Sequence, residues 1–157
     1  LLHGVGHHIS YRGHHKHAHY LIKNGDLRGF TPMEVEVLAN VARYHRRRPR
    51  KRHPGFAALP RADRRAVQVL SAILRLADAL DRSHRQVVKG LTVRARAESL
   101  LVQVHVTGDT SLEMWGMARQ AELLSGVLGV RVKVDVAPAP AIASFPRSAR
   151  ARARVAT

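Results

Sequence analysis

The chain has 157 residues, with 27 Lys and Arg against 11 Asp and Glu, 11 His and no Cys. That length fits one domain, or one domain with a small appendage; the lack of Cys excludes a disulfide framework and a thiolate zinc site and makes a reducing, cytoplasmic setting the default. No stretch approaches the roughly 20 apolar residues of a membrane span, and the opening LLHGVGHHIS has neither a signal-peptide pattern nor an initiator Met, so the chain reads as a piece of a longer protein.

The net charge of +16 is unevenly spread. Residues 1–90 hold 18 Lys and Arg against 6 Asp and Glu, whereas residues 91–136 are balanced. An anion-attracting field therefore belongs to the first part of the chain.

Taken in order, the first part is helical. Short helices are expected at 1–8 and 14–23, punctuated by Gly13, Asn24-Gly25 and Gly29. Thr31-Pro32-Met33-Glu34 is a capping box with Pro at the first helical position. The helix it opens carries Val35, Leu38, Val41 and Ala42 at helical spacing, runs to about Arg47 and is stopped by Pro49. A second long helix begins near Pro60, with Val67, Leu70, Ile73, Leu74, Ala77 and Leu80 as its apolar stripe. After Gly90 the period changes to two. Residues 91–96, 102–106 and 130–136 alternate as half-buried strands. Ser111 to Leu128 reads as a helix with Leu112, Trp115 and Met117 on its apolar side, ended by Gly129. The fold class is therefore α+β, mainly α. A helical domain over 1–90 precedes a small β-β-α-β subdomain over 91–136, and 137–157 is a disordered basic tail.

Three groups of residues carry chemistry. Histidines crowd the start: His3, His7, His8, His14, His15, His17 and His19. His3/His7 and His15/His19 are spaced to share helix faces, and imidazole is the commonest metal ligand. The plainer alternative is a set of surface histidines. Asp78 and Asp81 border the apolar stripe, where a carboxylate needs a partner. A metal held with His, or an Arg, serves Asp78. A salt bridge with Arg75, Arg82 or Arg85 suits Asp81. Third, Arg43, Arg46, Arg47, Arg48, Arg50, Lys51 and Arg52 crowd a helix end and the loop after it. Some of these suit the helix macrodipole, but so many like charges repel unless a polyanion screens them. Phosphate matches the guanidinium fork, and Arg12 and Lys16 extend the track. A solvated charge run is the alternative.

LLHGVGH, GHHKHAHYLIKN, GFTPMEVEVLANVARYHRR and ILRLADALDRSHRQ together, in this order, resemble the C-terminal domain of the exopolyphosphatase / guanosine pentaphosphate phosphohydrolase (Ppx/GppA) family. The resemblance covers about residues 1–136 and implies an HD-like helical domain followed by a small α/β piece. It also implies that His3, His17 (or His19), His45 and Asp78 sit where that fold places ligands for a divalent metal such as Mn, Mg, Zn or Fe. Gly4 departs from the pattern, because the acid that completes an HD pair is missing and the site is degraded. In the family, phosphate-bond cleavage belongs to an actin-like domain that is absent here. No GxxxxGK[ST] loop replaces it, and no catalytic residue is assigned. The resemblance implies an HD-like binding domain for polyphosphate or a phosphorylated guanosine nucleotide, attached to a phosphatase domain, in a homodimer. A metal-dependent HD phosphohydrolase and a basic nucleic-acid-binding protein are the competing readings. Few aromatics and no recognised motif disfavour the last.

Overall fold

The structure, a computed structural model, describes residues 2–50 and 53–139. A 3₁₀ helix, Leu2–His8, is followed by α1 (His14–Asn24), α2 (Pro32–Tyr44), α3 (Pro54–Ala57) and α4 (Arg61–Ala79). Strands β1 (Val88–Arg96) and β2 (Ser99–Val106), helix α5 (Ser111–Leu128) and strand β3 (Arg131–Pro138) complete the described chain. The fold is α+β and mainly α, as the change of period near Gly90 indicates.

The capping box forms as the sequence dictates. The Thr31 hydroxyl accepts the Glu34 N–H at 3.3 Å, and the Glu34 carboxylate accepts the Thr31 N–H at 2.7 Å. The other end of α2 falls short of the expected Arg47. The helix stops at Tyr44 because side chains take its last carbonyls: His45 Nδ1 meets Ala42 O at 2.6 Å, and Arg75 donates to Tyr44 O. Arg46 and Arg47 therefore stand beyond the helix. The four-residue helix α3 inside the following loop has no counterpart in the sequence reading.

Helix α4 presents a different face from the expected stripe. Val67, Ser71, Ala72, Arg75, Leu76 and Ala79 are buried, whereas Leu70 and Ile73 are 43% and 46% exposed. Two polar side chains can occupy the inner face because both are satisfied there: Ser71 donates to Gln68 O at 3.2 Å and Arg75 to Tyr44 O at 2.7 Å. Likewise on α5, the buried side is Glu113, Gly116, Met117, Ala121 and Leu124, and Leu112 and Trp115 face out. Gly129 ends α5 in the left-handed region, φ 76°, where glycine carries no Cβ penalty.

The sheet order is β1-β2-β3, with β1 antiparallel and β3 parallel to β2. Strand β1 begins at Val88, so the boundary expected at residue 90 falls inside the strand. Strand β3 continues to Pro138; of the tail expected over 137–157, residues 140–157 lie outside the described residues. Val102, Val104 and Val132 of the sheet, Met117, Ala121 and Leu124 of α5, and Ala72, Leu76 and Ala79 of α4 form one apolar cluster. Helix α4 thus joins the helical layer to the sheet. On its other side, Val67 packs with Tyr44, Phe56 and Leu59. Ala18, Ile22, Ala39 and Ala42 seal α1 against α2.

A histidine cluster opening on an arginine cleft

Four elements deliver imidazoles or carboxylate to one place. The 3₁₀ helix brings His3 and His7, the start of α1 brings His14 and His15, the end of α2 brings His45, and α4 brings Asp78. The contact of the first two elements depends on Gly6, because a Cβ there would stand 2.0 Å from His14 O and 2.6 Å from Ala18 N. With that space free, the His7 and His14 rings stack at 3.9 Å, and His3 meets His45 edge-on at 5.2 Å. His3 Nε2 lies 3.9 Å from Asp78 Oδ1. His14 Nε2 and His45 Nε2 face each other at 3.3 Å.

The protonation of that last pair follows from its neighbours. His14 Nδ1 lies 3.1 Å from Tyr11 O, and His45 Nδ1 lies 2.6 Å from Ala42 O. A carbonyl only accepts, so both Nδ1 atoms carry hydrogen, and two Nε2 lone pairs confront each other when the rings are neutral. Only a doubly protonated ring converts that contact into a hydrogen bond. Burial opposes this by pushing His45 down to about 4. Burial, reinforced by His14 and His45, holds His15 at about 4, and burial lowers His3 and His14 as well. The His15 Nδ1 atom is buried without a hydrogen-bond partner in the described residues.

His3, His45 and Asp78 come together, and His14, His7 and His15 join them; no local pattern distinguishes these last three from the other histidines of residues 1–20. His17 is half-buried on α1 and makes no contact with the cluster among the described residues. Asp78 keeps 47% of its side chain exposed, so it is not the desolvated carboxylate that the helix pattern suggested. Asp81 pairs with His84 at 3.6 Å rather than with an arginine. Among the described residues no three His, Asp or Glu side chains converge on a point where they could hold a metal ion. His14 and His45 turn their Nε2 atoms on each other, and Gly4 supplies no further carboxylate. As arranged, the described residues do not fit a divalent metal centre.

The cluster opens through His45 and Asp78 onto a cleft of about 560 Å³. Arg46, Arg47, Arg48 and Arg50 line one side, and Arg82, Trp115 and Arg119 line it from the end of α4 and from α5. Gly116 lets α5 lie close on α4 beside it, since a Cβ there would be 3.3 Å from the Ala79 Cβ. Arg75 also lines it and is only 7% exposed. Its guanidinium caps α2 through two hydrogen bonds to Tyr44 O, which sets a cation against the negative end of the helix dipole. Asp78 is the one acid lining the cleft. Arg12, Lys16 and Arg43 do not line it, and Lys51 and Arg52 lie outside the described residues. Arg119 has no counterpart in the sequence reading and Arg82 entered it only as a salt-bridge partner, because nothing local points either at the same space as residues 46–50.

A mainly helical α+β domain whose histidine–aspartate cluster borders an arginine cleft is thus the class defined by fold and site. The chain matches the family model described as Ppx/GppA phosphatase, domain III, over residues 1–120, and it belongs to that family. It is also similar to a guanosine-5'-triphosphate,3'-diphosphate pyrophosphatase of Pseudoalteromonas translucida (strain TAC 125), with 42% identity over 45 residues. That match covers 29% of this chain and 9% of the relative, so the chain corresponds to a small part of that protein's length. Among the described residues no helix is long and apolar enough to cross a membrane.

Proposed function

We propose that this chain is the polyanion-binding domain of a cytoplasmic exopolyphosphatase-like protein, holding polyphosphate or a phosphorylated guanosine nucleotide and itself lacking catalysis. In the full-length homodimer an actin-like domain supplies the phosphatase chemistry. The observation that carries the reading is the cleft, where Arg46, Arg47, Arg48, Arg50, Arg82 and Arg119 face one space that contains a single carboxylate. Guanidinium groups without internal acid partners recruit external phosphate oxygens. Membership of a phosphatase family supports phosphate as the anion.

The test is binding of polyphosphate as a function of salt. Each phosphate neutralised adds about −0.7 to −0.9 to the slope of log affinity against log salt, by analogy with nucleic acids. Replacing Arg47, Arg48 and Arg50 with Ser is expected to make the slope shallower by about 2 and to leave the fold intact, because all three side chains are exposed. Duplex DNA of matched charge is the competitor. Clear preference for DNA at fixed salt overturns the reading in favour of a nucleic-acid protein. Metal-dependent release of phosphate from polyphosphate by this chain, lost in Asp78→Asn, overturns it in favour of an HD-type hydrolase, the reading that the meeting of His3, His45 and Asp78 supports.

A further inference from the structure

Helix α5 places an indole in the arginine cleft. Trp115 is the only tryptophan of the chain. It is 66% exposed and lines the same space as Arg46, Arg82 and Arg119. A large aromatic side chain ordinarily contributes its area to a core or an interface. Here the core side of α5 is taken by Glu113, Gly116, Met117, Ala121 and Leu124, and no aromatic ring stacks on the indole among the described residues.

A chain of phosphates gains nothing from that π-face, since it presents only anionic oxygens. A nucleobase does gain, because base–aromatic stacking strengthens binding by about 5- to 100-fold and tolerates any base. The volume of about 560 Å³ falls within the range of about 300–1,000 Å³ typical of small-molecule sites. Arg119, one helical turn after Trp115, lies on the same side of α5.

We propose that Trp115 is a base-stacking platform and that the ligand matching this cleft is a free nucleoside polyphosphate, its base on Trp115 and its phosphates on Arg46, Arg47, Arg48 and Arg50. The proposal rests on the reading of the cleft as a phosphate site and narrows it from phosphate polymers in general to ligands that carry a base.

The experiment compares GTP with tripolyphosphate, which has a similar charge and no base. Calorimetric titrations at low salt use the natural chain, Trp115→Ala and Trp115→Phe. The natural chain is expected to bind GTP at least about five-fold more tightly than tripolyphosphate, with quenching of its single-tryptophan emission. Trp115→Ala is expected to bring GTP to the tripolyphosphate value and leave tripolyphosphate unchanged, and Trp115→Phe to keep part of the difference. Equal affinities for the two ligands, unaffected by Trp115→Ala, overturn the stacking role while the phosphate site stands. If neither ligand binds to the folded chain, the phosphate site itself fails and the stacking role with it. A single-stranded oligonucleotide that displaces GTP at equal phosphate concentration overturns the assignment to a free nucleotide.

Discussion

Replacing Gly6 with Ala adds one methyl group at the point where the 3₁₀ helix lies on α1. The new Cβ would sit 2.0 Å from His14 O and 2.6 Å from Ala18 N. Both are backbone atoms, so no side chain can swing aside, and ordinary contact is restored only if the segment lifts by more than about 1 Å. Overpacking of a tight contact costs about 1–3 kcal/mol, and a backbone-to-backbone clash belongs at the upper end. The same movement separates His7 from His14, stacked at 3.9 Å, and His3 from His45. Gly4 is the built-in control. It lies in the same 3₁₀ helix, nothing is within 4 Å of its Cβ position, and neither glycine has a positive φ. Backbone entropy therefore acts similarly at both sites, and only the contact differs. Urea unfolding followed by far-UV circular dichroism measures the outcome. With an m-value of about 2 kcal/mol/M, a loss of about 3 kcal/mol lowers the midpoint by about 1.5 M. Gly4→Ala is expected to stay within about 0.5 kcal/mol of the natural chain. Equal midpoints for the two variants would refute the packing of the 3₁₀ helix on α1 and the histidine cluster that depends on it.

Acidification is expected to destabilise the fold before the carboxylates titrate. The folded state holds His45 at about 4, against about 6.5 when unfolded, so the unfolded state binds more protons between those values. Stability is complete above about pH 6.5 and is lost as the pH falls toward 4, by about 2 kcal/mol at pH 5 from His45 alone. Melting temperatures at pH 7.5 and pH 5 check this, and a His45→Gln variant that retains the whole drop would assign it elsewhere. Removing the buried guanidinium in Arg75→Met leaves Tyr44 O without its two donors. The expected loss is about 2–3 kcal/mol, typical of hydrogen bonds from a charged group; a variant as stable as the natural chain in urea would show that the end of α2 needs no cap.

Much of the fold is written in local patterns, and its limits are local too. The capping box needs only Thr31 and Glu34, and the alternation in β2 and β3 needs only neighbours two apart, so both are legible residue by residue. Which face of α4 turns inward is decided by a partner far away in sequence. Arg75 is buried because Tyr44 O, at the end of another helix, is waiting for its guanidinium, and that hydrogen bond outweighs the exposure of Leu70 and Ile73. A count of apolar residues along α4 cannot contain this. Trp115 fails for the matching reason, since an indole is scored as core wherever it falls on a helical period. At the site, the family pattern picks out His3, His17 (or His19), His45 and Asp78. It passes over His14, whose place is fixed by Gly13 in the left-handed region at the start of α1 and by the gap at Gly6.

The contrast between the two halves of the site bears on what it does. An efficient general base has a pKa near the working pH. Burial holds His45 and His15 at about 4, which leaves them neutral but weakly basic near pH 7. The two imidazoles are therefore poorly matched to general-base work near pH 7. Among the described residues Asp78 is the only acid lining the cleft; it is half-exposed and lies 3.9 Å from His3. The guanidinium groups beside them match phosphate oxygens in charge and in geometry. A cleft of guanidinium groups with neutral imidazoles at its edge is the arrangement on which the proposed phosphate-binding role rests.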